Sequence, residues 1–156
     1  MKRKISERGQ SLVEFGISLV VILLLLAGAV EFGIALFQFI QLRDAAQEGA
    51  LYGSICPIAA NIEARVRSAS SAPIDLTVST GADAVNVVVQ GTEGATDTTK
   101  QLSLVQAGDG VKVTVTYTHQ IFMPFAPLFA GGNTIPITAS VTNTVLDNNT
   151  SKATCQ

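Results

Sequence analysis

The chain has 156 residues, 47 % of them apolar and only 14 % charged, with a formal net charge of −2. A single histidine and two widely separated cysteines, Cys56 and Cys155, do not make a closed ligand set, so no metal is expected. Beyond Gln41 six basic residues face nine acidic ones, which leaves no basic patch to release counterions from a phosphate backbone; no nucleic-acid partner is expected.

Residues 1–9 form a basic cytoplasmic leader in which Lys2, Arg3, Lys4 and Arg8 oppose only Glu7. Behind it lies an uncharged apolar run from Phe15 to Val30, bounded by Glu14 and Glu31. Sixteen helical residues rise about 24 Å, close to the ~30 Å hydrocarbon core of a bilayer. A carboxylate near each headgroup layer is tolerable, whereas a charge at the midplane is not. The pattern predicts one transmembrane and stalk helix over about residues 10–53, with a membrane part of about 13–33. Phe32, Leu36, Phe39, Ile40, Ala46 and Ala50 recur at helical spacing, and Arg43, Asp44, Gln47 and Glu48 supply polar surface. Gly49, Gly53 and Pro57 are stop signals. Lys and Arg are retained on the cytoplasmic side, so the N-terminus is expected inside and the rest of the chain outside.

Residues 54–156 are then one extracytoplasmic α+β domain. Ile58 to Ala69 predicts a short second helix with Ile58, Ile62, Val66 and Ala69 on one stripe, closed by Pro73. Strands are expected at Ile74–Thr80 and around Val85, Val87 and Val89, where apolar residues alternate. Gly91 to Lys100 is loop-like. Leu102–Gln106 and Val111–Ile121 flank Ala107–Gly110, a hairpin-turn sequence. Along Val111–Ile121 the residues Val111, Val113, Val115, Tyr117, His119 and Ile121 share one face. A last strand, Ile135–Val145, carries Ile137, Ala139 and Val141 on its apolar side. The expectation is a four- or five-stranded antiparallel sheet packed on the stalk and the second helix. Phe122 to Phe129 is a concentrated apolar loop, either a subunit contact or a flap folded back over the sheet. Cys56 and Cys155 fall on the outer side, where a disulfide can persist, worth on the order of 4–5 kcal/mol for a loop of this length; two free thiols are the other possibility.

Catalysis has little support. His119 shares its strand face with three valines and is expected to be a core or edge residue, neither a general base nor a ligand. Glu14 and Glu31 are a bilayer apart and cannot form an acid–base pair. No phosphate-cradling loop or nucleophile elbow occurs, so no catalytic residue, cofactor or small-molecule substrate is expected.

Two segments carry a resemblance. Gly9-Gln10-Ser-Leu-Val-Glu14-Phe15 resembles a type IV prepilin leader. That implies cleavage between Gly9 and Gln10 by a prepilin peptidase, and a pairing of Glu14 with the new N-terminal amine during helix-on-helix assembly beside Phe15. Gly28-Ala-Val-Glu31-Phe32-Gly33, followed by Ala45-Ala46-Gln-Glu48-Gly49-Ala-Leu-Tyr52-Gly53, resembles the TadE-like family of the tight-adherence (Tad/Flp) pilus system. The chain departs from that pattern at Gln47 and Leu51, where the family often has Arg. The resemblance implies a minor pilin or pseudopilin of the bacterial cytoplasmic (inner) membrane that assists pilus biogenesis and surface adherence. Its implied partners are the membrane, prepilin peptidase, other Tad pilins or pseudopilins and the inner-membrane assembly platform. Three rivals stand beside it: a secretory signal cut after Ala27-Gly-Ala29, an uncleaved single-pass anchor for a binding domain, and an exported enzyme.

Overall fold

The computed structural model describes residues 7–94, 96, 98–123 and 131–146. Helix α1 runs without a break from Glu7 to Gly53, and α2 from Ala59 to Ser68. At 1.5 Å per residue the 47 residues of α1 extend about 70 Å, roughly twice a bilayer's apolar thickness. The sheet contains β1 (Val85–Thr92), β2 (Thr99–Lys100), β3 (Gly110–Gln120) and β4 (Thr134–Thr144), with a 3-10 turn at Leu102–Leu104. The strand order is β2-β1-β3-β4 and every pairing is antiparallel, which gives an α+β fold.

Among the described residues the lower part of α1 has few contacts. Leu12, Phe15, Leu25 and Leu26 are each at least 60 % exposed. None of the helix's most apolar stretch is buried inside the molecule. From Gln38 upward one face disappears into the head: Gln38, Gln41, Leu42, Ala45, Ala46, Gly49, Ala50 and Gly53 are all buried. That spacing of three and four is the stripe a helix presents to a core. Of the expected stripe only Ala46 and Ala50 are buried. Phe32, Leu36, Phe39 and Ile40 face outward, and small residues with two glutamines face the head. The physical reason is proximity, since a Cβ on Gly49 would overlap Val66 Cγ2, and one on Gly53 would lie 2.9 Å from both Ile62 Cδ1 and Val111 Cγ1. Large side chains do not fit there.

Strand β3 forms the centre of the head. Val111, Val113 and Val115 are fully buried, and the strand pairs with β1 (Val89 to Val113) and β4 (Val115 to Ala139). The opposite face is wet, with hydroxyl ladders Thr114–Ser140 and Thr116–Thr138. Val111 lies beside Gly53, and His119 lies beside Glu31, so β3 runs back down the stalk toward the apolar half.

Two expected strands are absent. Ile74–Thr80 turns where extension was expected, because Asp75 Oδ1 accepts from Thr77 N at 2.9 Å and from Thr77 Oγ1 at 2.7 Å. This local side-chain turn competes successfully with a ladder, while Ile74 and Leu76 still reach the core. Leu102–Leu104 is a 3-10 turn, and the following turn at 107–110 binds the end of β4 through Gly108 N to Val145 O and Val145 N to Asp109 O. The segment expected to be all loop, Gly91–Lys100, instead contains the end of β1 and the short β2.

Candidate functional site: the joint between helix and head

Glu31 is the last carboxylate on α1 before the bare apolar stretch, and the head holds it. His119 Nε2 lies 2.7 Å from Glu31 Oε1, and Phe122 N donates to both carboxylate oxygens at 3.2 and 3.3 Å. With the imidazole proton on Nε2, His119 donates to the Glu31 carboxylate. The His119 side chain is 4 % exposed and that of Glu31 16 %. Hydrogen bonds to a charged group in such surroundings contribute about 1.5–3 kcal/mol, more than neutral ones. The expectation of a buried strand histidine holds, but its partner 88 residues away was not visible in the sequence. The one signal that could have found it is positional: a carboxylate at the end of a long apolar run needs a donor, and the only histidine sits at one end of an alternating strand.

A second tie was also missed. Gln41 Nε2 donates to Ser70 Oγ at 3.0 Å and to Ile74 O at 2.7 Å, while Ile74 N donates to Gln41 Oε1 at 3.0 Å. One buried amide therefore satisfies both backbone groups of Ile74 and fastens the segment after α2 to the stalk. Beside it, a groove of about 290 Å³ is bordered by Phe37, Asp44, Glu48 and Pro73.

The residues of the two family motifs divide by role. Ala45, Ala46 and Gly49 are buried and form the seat on which α2 and β3 rest, and Tyr52 packs against that core. Glu48 is bridged to Arg65 at 2.8 Å on the surface, a pair worth little. Gly28 faces Met123, whose Sδ would be 3.5 Å from an added Cβ. Phe32 is 70 % exposed, and a Cβ on Gly33 would meet nothing within 4 Å. Gly9, Gln10, Glu14 and Phe15 are all exposed on the bare part of α1, far from the head. Cys56 is buried at the foot of the stalk's last turn, and Cys155 lies outside the described residues.

At the far end of the head Asp109 locks the turns. Its carboxylate accepts from Lys100 Nζ at 2.6 Å, Gln106 N at 2.8 Å and Gly94 N at 3.2 Å. Lys100, followed by the two backbone N–H groups, lowers its pKa to about 2. Burial raises the Tyr117 hydroxyl above its ordinary value, with Asp83 adding to the effect.

What the joint can do is mechanical: it fixes the angle and height of a folded head on an otherwise unpartnered apolar rod. No curated protein and no solved structure matches the chain. Residues 9–51, most of α1, match the family model described as TadE-like protein.

Proposed function

We propose that the protein is a minor pilin or pseudopilin of a tight-adherence (Tad/Flp) pilus system, working by assembly and not by catalysis. The observation that carries this reading is the TadE-like match lying on a helix whose apolar surface is left bare. A span of exposed Leu, Val and Ile suits lipid, and its continuation through Phe32, Leu36, Phe37 and Ile40 leaves apolar surface for a neighbouring subunit. In this reading the N-terminus is cytoplasmic, the head is extracytoplasmic, and prepilin peptidase cuts between Gly9 and Gln10. Glu14 then pairs with the freed amine as helices pack, a pairing strengthened by low dielectric. Sister pilins and the inner-membrane assembly platform are the partners. Cys56 pairs with Cys155 and ties the chain end to the stalk, which an intact mass that rises on reduction would establish.

The test is Glu14→Ala. It should leave membrane insertion intact and lower pilus assembly on cells; unchanged piliation removes Glu14 from the mechanism.

A further inference from the structure

Phe122 and Met123, which leave β3, lie against α1; the rest of the apolar segment to Phe129 lies outside the described residues. Phe122 N is hydrogen-bonded to Glu31, and Met123 reaches Gly28, three residues further down α1. At 1.5 Å per residue that is about 4.5 Å beyond Glu31 toward the bare span. Phe122 is 78 % exposed. From Ile121 to Leu146 the sequence holds no Asp, Glu, Lys or Arg, and three of the seven phenylalanines (Phe122, Phe125, Phe129) fall within it. Between the Phe122–Met123 pair and α1 lies an open groove of about 460 Å³ whose walls are Leu23, Leu26, Ala27, Val30, Phe122 and Met123. Leu23 is eight residues below Glu31, so the groove descends about 12 Å along the span.

We infer that Phe122 and Met123 form a second membrane contact, lying in the outer leaflet beside α1, and that lipid acyl chains fill the groove between them and the helix. The inference rests on α1 spanning the bilayer. The groove is continuous with the apolar surface of that span, and its one charged border residue, Glu31, is already occupied by His119 and Phe122 N. An uncharged wall at that depth recruits hydrocarbon and offers a polar ligand nothing to bind. The head is then pinned to the membrane surface at two points and does not stand clear of it on a free stalk.

The chain contains no tryptophan, so each substitution to Trp gives a single fluorophore. Full-length Phe122→Trp, Ile22→Trp and Leu104→Trp are reconstituted into phosphatidylcholine vesicles, with or without bromine on the acyl chains. Phe122→Trp should lose most of its emission, more with bromine near the headgroup end than near the methyl end. Ile22→Trp should show the reverse depth preference, and Leu104→Trp, at the far end of the head, should be unaffected. Quenching of Ile22→Trp with Phe122→Trp behaving like Leu104→Trp overturns the inference and leaves the span intact. Absence of quenching at Ile22→Trp as well removes the span and the inference together. Shielding of Phe122→Trp from bromine that vanishes when the protein is diluted into excess lipid assigns the groove to a second copy, which also overturns it.

Discussion

The two halves of α1 are equally helical, yet they meet their surroundings in opposite ways. Below Glu31 the helix is built from Leu, Val, Ile and Phe and buries none of them in protein. Above it, the buried positions are Ala, Gly, Gln and one Leu. Bulky side chains maximise contact with fluid lipid, whereas small ones let a second backbone come close enough for directional packing. The size of the apolar residues separates the part of α1 that is left bare from the face that packs on the head. The outward residues Phe32, Leu36, Phe37 and Ile40 extend the first pattern along the back of the second half, where the front is occupied by the head.

The largest break in this comparison is a truncation on each side of it. Leu42→Ala removes a fully buried side chain and should destabilise the head by about 2–5 kcal/mol, read from its denaturation midpoint. Leu25→Ala, at a position 70 % exposed, should leave that midpoint unchanged; equal losses would erase the distinction between the halves.

Glu31→Ala comes next. It leaves His119 buried without its acceptor and frees Phe122 N, at a cost of about 1.5–3 kcal/mol. The loss should be local: limited proteolysis after Phe122 speeds up while the α2–β3 core keeps its protection. A uniform loss of protection would mean that Glu31 supports the whole head and not its lower edge.

The smallest effect is expected at the opposite end. Asp109 has a lowered pKa, so its stabilisation is present above the unfolded carboxylate value, near 4, and is lost as pH falls toward about 2. Hydrogen exchange at Gly94 and Gln106 should rise across that window and not in Asp109→Asn. Exchange that is flat with pH in the parent protein would detach Asp109 from the turns.

Much of the scaffold was legible because its signals are periodic. An uninterrupted apolar run gave α1, and strict alternation at Val111–Val115 and Ile137–Val141 gave β3 and β4 within one residue of their ends. Periodicity misled at Ile74–Thr80, where the alternation is real but an Asp75–Thr77 side-chain turn consumes the hydrogen bonds a strand would need. It also misled on the face of the stalk, because a hydrophobicity count ranks Phe39 above Gly49 and carries no information on how closely Val66 approaches. The joint itself was out of reach: Gln41 with Ile74, and Glu31 with His119, are contacts across 33 and 88 residues that no local pattern encodes. The family motifs pointed to the right stretch of helix without saying that Ala45, Ala46 and Gly49 act by seating the head and Phe32 by facing away from it.

The account depends on the finished protein keeping the bare half of α1 after losing its basic tip. Mass spectrometry of the N-terminal peptide from purified membranes tests this directly. A mature N-terminus at Gln10 is predicted, leaving Glu14 near a free amine and the whole span in place. One at Val30 would remove the bare half, and an intact Met1 would remove the processing step; either contradicts the account.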